Sequence, residues 1–227
     1  MIPKVIYQVS IGLHHDIPPV QQVVTTMRTL NPDYGYKLFT HESDLDTFVH
    51  ENFSGTIVEC YDKLNILVAK TDFWRYLYLY VHGGVYLDMD SAIVKPLSTM
   101  IDDSDEAVVT KESILDLYVQ WALVFNKGHP ILKRVIELIV DNIQTNRFPN
   151  DIHKMTGPTV FTQAVRETDP ATFKEFGRDY NGVFTFSFPG CEQLFHGVKK
   201  WTQLQREVPL LKNQTRSTCD PYRFSNK

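Results

Sequence analysis

Residues 62–82 form a stretch of 21 residues that contains neither proline nor glycine and is rich in leucine, tyrosine, phenylalanine and tryptophan. Its length and the spacing of its apolar residues predict one long helix packed deep against a sheet. Gly83-Gly84 follows and predicts the helix end, because glycine readily adopts the left-handed conformation common there. Residues 85–87 are apolar and predict a short buried strand. A buried helix that leads into a buried strand is typical of an α/β fold.

The rest of the chain shows the same alternation. Further strands are predicted at residues 4–9, 36–40, 107–110 and 118–125, and further helices at residues 18–30, 42–50, 130–143 and 159–166. This order predicts a mixed, mainly parallel sheet flanked by helices. No repeat or linker interrupts the pattern, so we expect a single domain over residues 1–227, with a polar, irregular tail from about residue 202.

Composition narrows the functional classes. The formal net charge is −4, and no basic face is visible of the kind that binding to a phosphate backbone requires, so we expect no nucleic-acid partner. The cysteines, Cys60, Cys191 and Cys219, are far apart and form no CxxC pair, which indicates neither a disulfide framework nor a zinc site. No signal peptide is visible, and no apolar run approaches the roughly 20 residues of a membrane span. These features predict a cytoplasmic protein without a membrane span.

Asp88 and Asp90 flank one residue directly after the predicted strand 85–87. In an extended chain, residues two apart project to the same side, so both carboxylates can converge on one cation. Mg²⁺ and Mn²⁺ prefer oxygen ligands, and ligands of open α/β sheets usually bind at strand ends. A metal ion there would stabilise a diphosphate as a leaving group. An isolated Asp-x-Asp is more often a solvated loop, so the surrounding residues decide its meaning.

Those surroundings have a distinctive order. Asp72 and Arg75 lie one helical turn apart, and they are followed by a Leu-Tyr step, Gly83-Gly84, and an aromatic residue before Leu-Asp-x-Asp. This pattern resembles the signature of DXD-containing glycosyltransferases of the GT-A type, a family that includes α-1,6-mannosyltransferases and capsular polysaccharide glycosyltransferases. The similarity extends to Ile2-Pro3-Lys4-Val5-Ile6-Tyr7-Gln8, Gly128-His129-Pro130 and Thr156-Gly157-Pro158, and it runs from about residue 2 to residue 201.

The resemblance implies a single nucleotide-sugar-binding domain that transfers a hexosyl group to a hydroxyl of a glycan or glycoconjugate, as in polysaccharide biosynthesis. A UDP-sugar is the favoured donor and GDP-mannose the alternative, with Mn²⁺ or Mg²⁺ as cofactor and retention at the anomeric carbon. The sequence offers no dedicated nucleophile. A front-face route, in which the leaving phosphate helps to deprotonate the acceptor, would need none.

The same resemblance assigns roles to four residues. Asp88 would contact the sugar or ribose and help to hold the metal ion, and Asp90 would be a direct ligand. Asp72 and Arg75 would contact hydroxyls of the donor, because the planar guanidinium suits both hydroxyls and phosphate oxygens. From spacing alone, Asp72 and Arg75 could instead form a surface ion pair of little energetic value.

Three further residues are candidates through the resemblance. Tyr7 and Gln8 belong to the block that would bind the donor nucleotide. The family usually has His at the position of Tyr7 and Trp shortly after Gln8, so Tyr7 would supply the aromatic surface for the base. His196 stands five residues before Trp201, as a late His does in the family, and would be the third metal ligand. A structural role for His196 is equally compatible with the sequence.

Two other functional classes remain open at this point. A phosphohydrolase with an aspartate nucleophile also places Asp-x-Asp after an apolar strand, although that strand is normally near the start of the chain. A non-catalytic carbohydrate-binding domain is the second alternative. It would leave the acidic pair beside Arg75 and the double glycine without an explanation.

Overall fold

The computed structural model describes residues 1–212. Within this range the elements are, in order, β1 (Val5–Val9), α1 (Pro18–Leu30), β2 (Gly35–Phe39), α2 (Glu42–Asn52), α3 (Thr56–Lys63), α4 (Leu67–His82), β3 (Gly84–Leu87), β4 (Ser91–Ile93), β5 (Ala107–Lys111), β6 (Ala122–Phe125), α5 (Pro130–Gln144), α6 (Ile152–Met155), α7 (Pro158–Glu167), β7 (Lys174–Arg178), β8 (Phe184–Phe186) and α8 (Trp201–Glu207). No helix in this range has both the length and the apolar character required to cross a bilayer.

Six strands form the main sheet in the order β2-β1-β3-β6-β5-β7. The pairs β1/β2, β1/β3 and β5/β7 are parallel, whereas β6 runs antiparallel to both of its neighbours. A separate ribbon consists of the antiparallel strands β4 and β8. The predicted mainly parallel mixed sheet flanked by helices is therefore confirmed. The carboxyl ends of the parallel strands and the amino end of β6 share one edge of the sheet, which we call the carboxyl edge.

Both faces of the sheet are covered. Along β3, Tyr86 points into the larger core cluster, whereas Val85 and Leu87 point into a smaller one on the opposite face. The larger cluster contains side chains of α2, α3, α4, α5 and α7, and the smaller one contains Met27 of α1. Helix α4 lies deepest, and its Trp74 is fully buried. Burying one such side chain contributes about 1.5–3 kcal/mol. The sheet and α4 therefore form a rigid support for the carboxyl edge.

The prediction of one long helix over residues 62–82 is wrong for the first part of that range. Helix α3 ends at Lys63, and α4 begins at Leu67. Between them Leu64 pairs with Leu211 in an isolated bridge, and the Asn65 N–H donates to the Leu210 carbonyl at 2.9 Å. These contacts join segments far apart in sequence, and such tertiary pairing overrides local helix propensity.

The same contacts correct the expectation of an irregular tail from about residue 202. Residues Trp201–Glu207 form α8, and Leu210 and Leu211 are buried at 1% and 2% exposure. The remainder of that predicted tail, which includes Cys219, lies outside the described residues.

The strand predicted over residues 118–125 is shorter than expected. Only its last part, β6, lies in the sheet, and Tyr118 makes a single bridge to Lys111. Residues 119–121 therefore cross the carboxyl edge as irregular chain, which places Gln120 and Trp121 beside the end of β3.

Candidate active site

The Asp-x-Asp segment forms a turn at the carboxyl edge, directly after β3. The Asp88 N–H donates to the Trp121 carbonyl at 2.8 Å, and the Ser91 N–H donates to the Asp88 carbonyl at 3.0 Å. Met89 is 5% exposed and packs in a small apolar cluster, which anchors the turn between the two acids. Both carboxyl groups remain partly accessible. The acids therefore lie on a tight turn, and the expectation that they project from an extended chain is wrong.

The glycine pair before β3 is required by close packing. Gly83 has a φ of 64° and caps α4, as predicted. A Cβ atom on Gly84 would lie 2.7 Å from the ring of Tyr7 and 2.8 Å from the Val5 carbonyl oxygen. Real Cβ atoms do not approach this closely, and the φ of 108° at Gly84 also favours glycine. The pair thus allows β3 to enter the sheet immediately after the helix.

Arg75 of α4 is buried and contacts both Asp72 and Asp88. Its Nη2 lies 3.0 Å from Asp72 Oδ1, and its Nη1 lies 3.1 Å from Asp88 Oδ1. Nη1 also donates to the Gln120 carbonyl at 3.2 Å, and the guanidinium lies 4.5 Å from the ring centroid of Tyr86. Arg75 is 4% exposed. The surface ion pair considered from spacing alone is therefore wrong.

Asp72 has hydrogen-bond partners on both carboxylate oxygens. Gln120 Nε2 donates to Oδ1 at 3.0 Å, and Thr156 Oγ1 donates to Oδ2 at 3.1 Å. Burial raises the pKa of Asp72, whereas the Arg75 charge and these two donors oppose that rise. The sequence predicted no role for Gln120 or Thr156. The Thr156-Gly157-Pro158 block was the available signal for Thr156, and no signal marked Gln120.

Asp88 is the accessible end of this buried chain of contacts. The Tyr86 hydroxyl donates to Asp88 Oδ1 at 3.0 Å, the same oxygen that faces Arg75. The Asp88 side chain is 28% exposed, against 5% for Arg75. Burial raises the pKa of Tyr86 far above its usual range, so the phenol remains a donor. One oxygen of Asp88 is thus held by both Arg75 and Tyr86.

Asp90 has a perturbed titration. Burial, followed by the charge of Asp88, raises the pKa of Asp90 to about 6. The Ser91 hydroxyl, 3.4 Å from Asp90 Oδ1, is a weak partner. A divalent cation between Asp88 and Asp90 would remove their repulsion and favour the ionised form. The two carboxyl groups therefore suit a cation that takes its other ligands from a bound diphosphate.

His196 does not complete a metal site in the way the sequence predicted. Among residues 1–212, no three or more His, Cys, Asp or Glu side chains are grouped so that they could hold a metal ion. His196 is exposed, and its carbonyl oxygen lies 3.0 Å from His14 Nε2. Asp88, Asp90 and His196 therefore do not converge as a set of three ligands.

Tyr7 and Gln8 are core residues. Tyr7 is 6% exposed and packs edge-on against Tyr78, and burial raises its pKa to about 12. Gln8 is 1% exposed; its Nε2 donates to the Asp88 carbonyl at 3.2 Å, and its Oε1 accepts from the Tyr36 hydroxyl at 2.9 Å. Tyr7 is therefore not placed to stack on a nucleotide base. Gln8 instead helps to hold the backbone of the acidic turn.

Known sequences match this chain across the site. Residues 18–108 match the family profile described as "Glycosyltransferase sugar-binding region containing DXD motif". The initiation-specific α-1,6-mannosyltransferase of Candida albicans is 25% identical over 202 residues, which cover 79% of this chain and 51% of that protein. Inositol phosphoceramide mannosyltransferase 3 of Schizosaccharomyces pombe is 30% identical over 138 residues, 60% of this chain and 36% of that protein. The chain thus spans about half the length of the first relative and a smaller part of the second.

A solved structure titled "PaToxG Glycosyltransferase" shares the fold. Its TM-score is 0.59 at 21% identity, over 75% of this chain and 71% of that chain. At this identity the likeness establishes the fold alone. Taken with the profile match over Asp72, Arg75, Asp88 and Asp90, it confirms the resemblance given by the sequence. Residues 18–108 therefore resemble the DXD-containing sugar-binding region of glycosyltransferases, the fold is GT-A-like, and the chain is similar to the α-1,6-mannosyltransferases.

Proposed function

We propose that the protein is a glycosyltransferase that moves a mannosyl group from GDP-mannose to a hydroxyl of a glycan or glycoconjugate. The observation that carries this proposal is the buried connection from Asp72 through Arg75 to Asp88, which ends at an accessible carboxylate on the carboxyl edge. Two relatives are named as mannosyltransferases, and only the second name includes an acceptor, inositol phosphoceramide; the shared mannosyl group favours mannose over the UDP-sugar expected from sequence. They give no common acceptor.

In the proposed reaction, the bond between the anomeric carbon and the donor's diphosphate oxygen breaks, and the electron pair stays on the diphosphate. The acceptor oxygen forms the new bond to the same carbon, and its proton passes to the leaving diphosphate. Attack from the face that the diphosphate leaves gives retention. This route requires no protein nucleophile.

The roles of the acids follow from their surroundings. Asp90, together with the oxygen of Asp88 that Arg75 and Tyr86 do not hold, would bind Mn²⁺ or Mg²⁺. When bound, the cation would offset the charge that develops on the diphosphate. Arg75 and Tyr86 orient Asp88 through their contacts with its Oδ1. Asp72, fixed by Gln120 and Thr156, orients Arg75.

The test is a panel of nucleotide sugars with methyl α-mannopyranoside and mannobiose as acceptors, in Mn²⁺ or in EDTA. We expect GDP release and a mannosylated product with GDP-mannose and Mn²⁺, and a large loss with Asp90→Ala. Thermal shifts measure donor binding independently of turnover, because a ligand specific for the folded state raises its stability.

Other outcomes contradict the proposal in distinct ways. A donor-dependent thermal shift without hydrolysis or transfer would indicate a non-catalytic carbohydrate-binding domain. Release of inorganic phosphate from simple phosphate esters would indicate a phosphohydrolase. Turnover that is indifferent to Asp90→Ala at saturating donor and metal would remove the acidic turn from the reaction.

A further inference from the structure

Two aromatic side chains, Trp121 and Phe186, meet beside the acidic turn. Their ring centroids are 5.5 Å apart, and the ring planes are inclined at 41°. Phe186 is 53% exposed, and Trp121 is partly exposed. We call these two residues the aromatic pair.

The aromatic pair is attached directly to the turn that carries the acids. The Trp121 carbonyl accepts the Asp88 N–H at 2.8 Å. Phe186 is paired in the β4–β8 ribbon with Ser91, the residue that follows Asp90. One ring therefore comes from the irregular segment before β6 and the other from the β4–β8 ribbon, and the backbones of both residues contact the turn at Asp88 or next to Asp90.

This exposure contrasts with the other aromatic residues near the site. Trp74, Tyr76 and Tyr86 are at most 2% exposed and pack in the core. Leaving a phenylalanine ring more than half in water forgoes the stabilisation that its burial would give. Exposed apolar rings at the mouth of a site are typical of ligand-binding surfaces, which combine apolar walls with a few polar groups.

The position of the aromatic pair separates it from the expected place of the donor nucleotide. Nucleotides bind at the carboxyl ends of parallel strands, and β2, β1 and β3 supply these ends on one side of the acids. Trp121 immediately precedes β6, on the other side of β3. A molecule on the aromatic pair would therefore approach the acids from the side opposite to the nucleotide.

We propose that Trp121 and Phe186 bind the hexose ring of the acceptor, an inference that rests on the proposed function. One face of a pyranose carries mainly C–H groups, and an aromatic ring can cover that face while the hydroxyls stay hydrated or reach the acids. Stacking there would hold an acceptor hydroxyl near the anomeric carbon of a donor bound at Asp88 and Asp90. Orienting two reactants in this way lowers the barrier to transfer.

The experiment compares Phe186→Ala, Trp121→Ala and the ring-retaining Phe186→Tyr, with methyl α-mannopyranoside as acceptor. We expect both alanine variants to raise the acceptor KM ~10-fold, the scale of a lost aromatic contact, with a much smaller change in the donor KM. Phe186→Tyr should stay near the wild-type acceptor KM. Saturation-transfer NMR with methyl α-mannopyranoside should show weaker sugar contact in both alanine variants.

Phe53→Ala is the matched control for loss of an aromatic side chain. Phe53 packs on Phe48, whose ring centroid lies 5.6 Å from that of His82, just before β3 begins. Phe53 is thus at the end of the sheet opposite to Asp88, and its removal should lower stability without a selective change in the acceptor KM.

The outcomes separate this inference from the proposed function. An active wild-type enzyme whose acceptor KM is insensitive to Phe186→Ala would overturn the inference and leave the function standing. A rise in the donor KM alone would assign the aromatic pair to the nucleotide and also overturn it. A wild-type protein that binds GDP-mannose but transfers nothing to any sugar would overturn both. If Trp121→Ala does not fold, the Phe186 variants decide.

Discussion

Arg75 Nη1 lies 3.1 Å from Asp88 Oδ1, so a side chain from the middle of a buried helix fixes the first acid of the Asp-x-Asp turn. Arg75 is almost wholly desolvated, whereas Asp88 is partly open to solvent. Removing one member of a buried ion pair is costly because it leaves the other charge uncompensated. The candidate site and the hydrophobic core are therefore coupled, and changes at Arg75 should be visible in both stability and turnover.

Arg75→Lys tests that coupling. Lysine keeps the charge, but its ammonium cannot reach Asp72, Asp88 and the Gln120 carbonyl with the geometry of a planar guanidinium. We expect donor-dependent turnover to fall about 10²-fold, or about 3 kcal/mol of transition-state stabilisation. The free energy of unfolding should also fall by about 1–3 kcal/mol, because a buried carboxylate loses a donor.

The control for this variant is Arg134→Lys. Arg134 Nε lies 2.6 Å from Glu167 Oε2, with side chains 40% and 38% exposed. An exposed pair of this kind contributes at most about 1 kcal/mol. Urea unfolding and steady-state kinetics should therefore show little change in this variant. Equal effects of the two substitutions would contradict a special role for Arg75.

Thr156→Val tests the support of Asp72. Valine has nearly the same shape, but it removes the hydroxyl that donates to Asp72 Oδ2 at 3.1 Å. Loss of a hydrogen bond to a buried charged group should cost about 1.5–3 kcal/mol of unfolding free energy. Thr156→Ser keeps the hydroxyl and should retain most of the wild-type free energy of unfolding. Thr29→Val removes an exposed hydroxyl that bonds to a helix carbonyl, and chemical denaturation should show it to be nearly neutral.

The titration of Asp90 predicts a pH dependence of stability. Its folded-state pKa is raised to about 6, whereas an unfolded aspartate titrates at about 3.9. The contribution of Asp90 to stability is therefore fully present below pH ~4 and is lost as the pH rises through about 6. In EDTA, we expect wild-type protein to lose about 1–3 kcal/mol relative to Asp90→Asn between pH 4 and pH 7. Urea unfolding at both pH values measures this, and parallel pH profiles would contradict it.

The sequence predicted the parts of the site that depend on local pattern. The Gly83-Gly84 pair, strand β3 and the acids at its end follow from spacing and residue type, and the structure has each of them. The break at residues 64–66 was not predictable in this way, because it depends on pairing with Leu210 and Leu211 far along the chain. Local pattern carries no information about such a partner.

The contact of Gln120 and the burial of Tyr7 were not predictable for a related reason. Gln120 lies in a segment whose apolar composition predicts strand, and its contact with Asp72 depends on that segment leaving the sheet before β6 begins. Tyr7 reads as an exposed aromatic surface through the family resemblance. Because Gly84 has no side chain, the Tyr7 ring can pack in the core, where it contacts Tyr78. Burial of a given side chain depends on packing between elements, which the sequence pattern does not fix.

His196→Ala tests whether His196 is a metal ligand. Its spacing from Trp201 predicts a metal ligand, and removing a ligand or its close support should weaken Mn²⁺ binding roughly 10- to 100-fold. The structure places the His196 side chain in solvent and outside any metal-holding group of residues 1–212. His14 contacts its backbone carbonyl, which the substitution retains.

We therefore expect the Mn²⁺ affinity of His196→Ala in the presence of GDP to stay within about twofold of wild type. Asp90→Ala, measured by the same calorimetric titration, should abolish it. A tenfold or greater loss in His196→Ala would show that the segment from Cys191 to His196 moves onto the acids when the nucleotide binds, and would restore the third ligand.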